Sequence, residues 1–186
     1  MTGIIPRVES LAIFDDGSGE GPCLYAGGLF FTAGETTASH IARWNGRDWA
    51  PLGIGVGYAP VYALTAFDGA EGPVLIAGGA FNAAGMVNAA HIAQWNGKSW
   101  SALGEGVDQP VWALATFDDG AGEGSALVVG GGFITAGDQP IEGIAKWAAD
   151  GSGWAPLGSG MYGPVLALTT APDGPTADPS LPAGGN

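Results

Sequence analysis

Leu24-Tyr25-Ala26-Gly27-Gly28-Leu29-Phe30 returns as Leu75-Ile76-Ala77-Gly78-Gly79-Ala80-Phe81 and again as Leu127-Val128-Val129-Gly130-Gly131-Gly132-Phe133. Eleven residues beyond each Phe, a segment opens as Ile41-Ala42-Arg43-Trp44, Ile92-Ala93-Gln94-Trp95 or Ile144-Ala145-Lys146-Trp147. A second tryptophan follows at Trp49, Trp100 and Trp154, then a Leu-Gly pair beginning at Leu52, Leu103 and Leu157. A period near fifty residues marks small units that cannot bury their faces alone and must stack on one another.

Each unit contains four short apolar segments separated by turn residues. The first is Val8–Phe14, repeated as Val61–Phe67 and Val111–Phe117. Its Val, Leu and Phe lie three apart, but seven residues between Pro and Asp-Gly are too few for a helix, so it reads as a strand. The second is Leu24–Phe31 and its equivalents, whose paired glycines imply close backbone approach. The third and fourth form a hairpin around Asn45-Gly46 and Asn96-Gly97. With Asn45-Gly46 as a two-residue turn, Arg43 is expected opposite Asp48 and Ala42 opposite Trp49. The same reading places Ala93 opposite Trp100 and Ala145 opposite Trp154, with both indoles of each unit on one face.

Parity supports separate sheets. Phe14 to Leu24 is ten residues, Phe67 to Leu75 eight and Phe117 to Leu127 ten, all even. Leu52 to Val61 is nine, whereas Leu103 to Val111 and Leu157 to Val165 are eight. Even changes within hairpins keep side chains on their faces, and an odd change is tolerated only between sheets. The expected fold is therefore all-β, a β-propeller fragment of three four-stranded antiparallel blades plus an incomplete fourth. The units run about 8–57, 58–107 and 108–160, with a partial fourth from 161, so that repeats fill 1–170. Residues 171–186 read as a truncated or degenerate repeat, because Pro179–Gly185 matches Pro22–Gly28 at five of seven positions. A disordered tail is the competing expectation.

Composition agrees with many short strands and tight turns: 186 residues, 46% hydrophobic, with 35 Gly, 13 Pro and only 12% charged. Five basic residues against 18 acidic ones give a net charge of −13, which argues against nucleic-acid binding. Cys23 is alone, so no disulfide framework or thiolate metal cluster is expected. No apolar run is long enough for a membrane-spanning helix, and Met1–Ser10 has no signal-peptide pattern.

The unit resembles the kelch and galactose-oxidase type of β-propeller repeat. The resemblance rests on Leu24-Tyr25-Ala26-Gly27-Gly28, Ile41-Ala42-Arg43-Trp44, Asn45-Gly46, and Trp49 with Leu52. The variant is similar to repeats of large bacterial secreted proteins and of the fungal cortical-polarity marker family. The resemblance implies an adhesion or adaptor module, less often a catalytic one. The function it suggests is a non-enzymatic binding or spacer scaffold in an extracellular or cell-surface protein, with an unknown protein or carbohydrate as partner. The alternatives are the non-catalytic portion of a larger secreted propeller enzyme, or a self-assembling lectin-like ring. The copper-binding tyrosines and histidines of galactose oxidase have no counterpart set here, so no catalytic residue, cofactor or metal is assigned.

Four groups of residues are candidate sites. The acidic loops Asp15–Glu20, Asp68–Glu71 and Asp118–Glu123 offer oxygen ligands for calcium, but Asp-Gly and Gly-Glu are also ordinary turn chemistry. His40 and His91 share one repeat position, where the third unit has Gly143, and are expected as hydrogen-bonding loop residues. The repeated tryptophans are expected in the core. Trp112 differs from its counterparts Glu9, Tyr62 and Leu166; with Tyr58, Tyr62 and Tyr162 it is the candidate aromatic binding surface. Finally, the open faces at either end of an incomplete ring predict self-association.

Overall fold

A computed structural model of the chain describes residues 5–118 and 125–169. Everything regular among them is β-structure, and no helix is long and apolar enough to cross a membrane. The first unit comprises β1 (Arg7–Phe14), β2 (Cys23–Leu29), β3 (Thr32–Ala33), β4 (Thr36–Thr37), β5 (Ile41–Trp44) and β6 (Trp49–Pro51). The second comprises β7 (Val61–Gly69), β8 (Gly72–Gly79), β9 (Ala83–Ala84), β10 (Val87–Asn88), β11 (Ile92–Trp95) and β12 (Trp100–Ala102). The third comprises β13 (Val111–Phe117), β14 (Ala126–Gly131), β15 (Thr135–Ala136), β16 (Gln139–Pro140), β17 (Ile144–Trp147) and β18 (Trp154–Pro156). Each unit forms one four-stranded antiparallel sheet, in the orders β1-β2-β5-β6, β7-β8-β11-β12 and β13-β14-β17-β18. Neighbouring sheets meet through their first strands, β1 against β7 and β7 against β13. The arrangement is propeller-like, and the described residues form no closed ring.

The three-residue spacing in the first strand has a structural cause. The register of each first hairpin shifts at one residue, between Val8 and Ser10, Val61 and Ala63, and Val111 and Ala113. The bulge turns Val61 and Leu64 to the same side despite their odd separation, so both face Gly27 of the preceding unit. Phe67 points the other way, into the cluster shared with the third unit.

The glycine pairs are the sockets of this packing. A methyl group added at Gly27 would lie 2.5 Å from Val61 Cγ1, and one at Gly78 would lie 2.5 Å from Val111 Cγ1. At Gly130 the same contact, at 2.7 Å, is with Val165. The second glycine of each pair backs onto a carbonyl of the first strand or its approach: Arg7 O at Gly28, Pro60 O at Gly79, Pro110 O at Gly131. The connectors complete each interface. Leu52 and Val56 pack in one cluster with Phe81, Ala84, Trp95 and Trp100 of the next unit. Trp100 Nε1 donates a 3.0 Å hydrogen bond to Leu52 O, and a methyl at Gly104 would come within 2.8 Å of the Trp147 ring.

The second hairpin of each unit departs from the expected register. Trp44 lies opposite Trp49, Arg43 opposite Ala50 and Ala42 opposite Pro51. In the other units Trp95 faces Trp100, Ala93 faces Ala102, Trp147 faces Trp154 and Ala145 faces Pro156. The cause is Asn45, whose Oδ1 accepts from the amides of Arg47 and Asp48 at 3.0 and 2.9 Å. That closes a four-residue loop where a two-residue turn was expected. Asn96 does the same for Lys98 and Ser99. The indoles do share a face, as directly opposed pairs with centroids 5.5, 5.3 and 5.2 Å apart.

Small hairpins not anticipated from the sequence lie between the second and third strands of every unit: β3-β4, β9-β10 and β15-β16. Beyond the third sheet, Val165 is buried and its amide donates to Gly131 O at 3.0 Å. Residues 161–169 thus begin the fourth repeat without forming a ladder strand. The expectation for 171–186 lies outside the described residues.

Candidate functional site

Strand direction sorts the loops to two ends of the sheets. One end carries the acidic first-hairpin loops and the Asn-Gly loops. The other carries the connectors between units, the small hairpins and the start of every first strand. Tyr58, Tyr62, Trp112 and Tyr162 all fall at this connector end.

Tyr62 and Trp112 are the bulged residues of β7 and β13, and Glu9 is their counterpart in β1. A bulge re-aims the side chain it carries. Trp112 is half-buried, with its ring laid over Gly132, where a methyl would come 2.8 Å from the indole. Tyr62 is also half-buried, whereas Tyr58 and Tyr162 are 99% and 98% exposed. No ring contact joins these four among the described residues. The structure therefore brings them to one end without assembling them into a stacked platform.

The acidic loop of the first unit is organised around a cation of the chain itself. Arg43 Nη1 lies 2.6 Å from Asp16 Oδ2, its Nη2 lies 2.8 Å from Glu20 Oε2, and the Tyr25 hydroxyl donates to Asp16 at 3.0 Å. Burial alone would raise the Asp16 pKa, but hydrogen bonds from Ser18 and Tyr25 and the charge of Arg43 hold it below its ordinary value. Tyr25 is pushed up, first by burial and then by Asp16. These carboxylates are thus engaged by a guanidinium, and Arg43 reaches them instead of the expected Asp48. Among the described residues, no group of three or more His, Cys, Asp and Glu side chains is placed to hold a metal ion. Part of the third acidic loop, 119–124, lies outside the described residues.

His40 and His91 adopt left-handed backbone, each at φ 64°, and Gly143 has φ 70° at the same position of the third unit. The turn requires that conformation, which glycine adopts freely and histidine at a cost. The glycine in the third copy was the sequence signal for it. Neither ring nitrogen of fully buried His40 meets a hydrogen-bond partner, nor does His91 Nδ1. Instead the His40 ring packs against Phe31 at 4.7 Å. For His40 the expected hydrogen-bonding role of the ring is therefore corrected to packing, whereas His91 is half-buried and lacks a partner only at Nδ1.

Burial lowers both histidine pKa values from 6.5, with Asp108 opposing the shift at His91. A lowered folded-state pKa means stability is complete above pH 6.5 and declines as pH falls through the unfolded value toward the folded one. Urea unfolding at pH 7.0, 6.0 and 5.5 should show that decline, limited to about 1.4 kcal/mol per pH unit for each histidine. The double variant His40→Asn/His91→Asn keeps a side chain tolerant of left-handed backbone and should flatten the curve. Equal slopes in both proteins would refute the assignment.

A cleft of about 520 Å³ lies between the second and third sheets. In the first unit the long loop Asp15–Pro22 folds over so that Asp16 O backs onto Gly97 of the second unit. The second unit is two residues shorter here, and its strands run straight to a tight turn with Gly69 opposite Gly72. The shorter loop still meets the longer hairpin loop of the third unit, Ala70 Cβ lying 3.9 Å from a methyl added at Gly151, and the cleft lies beside that contact. Its floor includes Phe67, Leu103 and Trp147; its rim carries Gln94, Lys98 and Asp150. Gln94 Nε2 is oriented by a 3.1 Å hydrogen bond to Ser101 Oγ. An aromatic floor with a polar rim suits a small polar ligand with apolar faces. The sequence held the shorter spacing from Phe67 to Leu75, but spacing alone did not reveal a cleft. Comparison with known protein families, curated proteins and solved structures finds no match to this chain.

Proposed function

We propose that this chain is a non-enzymatic, propeller-type repeat segment that acts as a binding scaffold in an extracellular or cell-surface protein. Kelch-like character remains part of that proposal, resting on the repeated glycine pairs and tryptophans. The observation that carries the binding role is the cleft at the second seam, which brings Phe67 and Trp147 together with Gln94 and Lys98. Supporting it, the buried ionisable groups are committed to internal pairs or to packing, as in Asp16–Arg43 and His40. Carbohydrate is the ligand class favoured by Trp147 beneath the polar groups Gln94 and Lys98, because sugars present both C–H faces and hydroxyls.

A glycan array probed with the labelled chain tests this reading, followed by calorimetry on the strongest hits. Gln94→Ala/Lys98→Ala should abolish binding, while Tyr62→Ala/Trp112→Ala at the other end should retain it. The reverse pattern would move the site to the connector end. Absence of binding to any glycan would end the carbohydrate assignment.

A further inference from the structure

Among the described residues the same inter-unit interface is built twice, and one side of the first unit and one side of the third present halves of it that the described residues leave wholly or partly uncovered. On the first unit, Val8 and Leu11 are 56% and 58% exposed, whereas their counterparts Val61 and Leu64 are 0% and 7% exposed because they sit at Gly27. Beside them runs a groove of about 320 Å³ lined by Phe30, Ala33 and Trp49. The equivalents in the second unit, Phe81, Ala84 and Trp100, are covered by the connector residues Leu52 and Val56.

The outer face of the third unit presents the opposite half. Its connector begins at Leu157-Gly158, equivalent to Leu52-Gly53 and Leu103-Gly104. Leu52 and Leu103 are buried beneath the next unit, but Leu157 is only half-buried. Gly53 and Gly104 each meet an indole of the next unit, and nothing lies within 4 Å of a methyl at Gly158. One part of this half is already filled: Val165 and Leu168 of the same chain occupy the Gly130 socket. Val165-Leu166-Ala167-Leu168 reproduces the spacing of Val8-Glu9-Ser10-Leu11.

We propose that the open face of the first unit seats on the outer face of the third unit in a second copy of this chain. In that complex Val8 and Leu11 take the Gly130 socket, and Trp49 covers Leu157-Gly158. Residues 165–168 are a placeholder that must leave before the second copy can dock. Such a contact joins unlike surfaces, so it propagates head to tail into rings or filaments. The placeholder competes with it and keeps association weak in the intact chain. The net charge of −13 opposes it as well, so added salt favours assembly. This inference stands independently of what the cleft binds.

Sedimentation velocity of the full-length chain over a concentration series tests it. Val165→Ser/Leu168→Ser empties the socket, and association should tighten roughly tenfold or more, and further in 0.5 M than in 0.05 M sodium chloride. Adding Val8→Asp/Leu11→Asp, at sites already exposed, should return that variant to monomer while leaving its tryptophan fluorescence unchanged. A synthetic peptide spanning residues 161–169, added in trans, should also dissolve the assemblies. The proposal is overturned if the emptied-socket variant remains monomeric at every concentration and salt. It is equally overturned if the assemblies persist with Asp at positions 8 and 11 or resist excess peptide. Glycan binding, measured in parallel, reports separately on the cleft.

Discussion

Gly78→Val should destabilise the chain by about 3 kcal/mol or more, seen as a fall in the urea midpoint of the tryptophan-fluorescence transition. The first added carbon alone would lie 2.5 Å from Val111 Cγ1 and 3.0 Å from Val111 Cβ. Neither position can yield easily. Val111 is fully buried, and Gly78 is paired on one side with Ala63 and on the other with Ile92. The second and third sheets must therefore separate or the strands must shift, at the cost of dispersion contacts along the whole seam. Three parallel substitutions make the test specific. Gly27→Val meets the same obstacle in Val61 and should cost as much. Gly130→Val meets Val165, in a segment outside the three sheets, and should cost less because that segment can lift away. Combining Gly78→Ala with Val111→Ala should lose less stability than the sum of the single changes, since each removes atoms the other displaces. Equal losses at all three sockets, or strict additivity in the pair, would mean that the glycines act through local backbone conformation and not through inter-unit packing.

A close approach at the glycine pairs was legible in the sequence because it recurs, but that the first glycine of each pair receives a valine of the following unit was not. Period, parity and the paired glycines together pointed to four antiparallel strands per unit, and the even difference between copies keeps equivalent residues opposed, Phe14 with Cys23, Phe67 with Val74 and Phe117 with Ala126. What failed was the step from dipeptide to turn. Asn45-Gly46 suggested the shortest hairpin, but the Asn45 side chain closes a longer loop by capping two amides, a choice made by side-chain hydrogen bonding and not by strand twist. That two-residue difference moves Arg43 away from Asp48 and frees it to organise the acidic loop through Asp16 and Glu20. The candidate surface was legible only as far as placement: Tyr62 and Trp112 occupy bulges, a feature that alternation of apolar residues conceals because the bulge itself resets the alternation. The cleft escaped because it depends on how a shortened loop in one unit and a lengthened hairpin in the next meet, Ala70 against Gly151, which no single repeat encodes.

Phe81→Ala should cost about 3–5 kcal/mol, among the largest effects available to a single truncation in this chain. Phe81 is 1% exposed and lies in the cluster that joins the first unit's connector, through Leu52 and Val56, to the second unit's indoles Trp95 and Trp100. Its neighbours are held from both sides: the backbone amide of His91 donates to Phe81 O at 2.9 Å, and Trp100 is tied to Leu52 O. Such a site collapses little around a cavity, so both transfer and cavity terms are felt. Phe30 occupies the equivalent position in the first unit, but it belongs to a smaller cluster bordering the open groove beside Trp49. Phe30→Ala should therefore cost measurably less, because its surroundings lack a connector and are already reached by solvent. Phe133, 1% exposed and covered by Val107 of the preceding connector, should behave like Phe81. Chemical unfolding of the three variants, followed by tryptophan fluorescence, should rank the losses as Phe81 and Phe133 above Phe30. A Phe30 loss equal to the other two would show that its face is covered in solution, and the interface would then have to be sought between copies of the chain before any variant was made to open it.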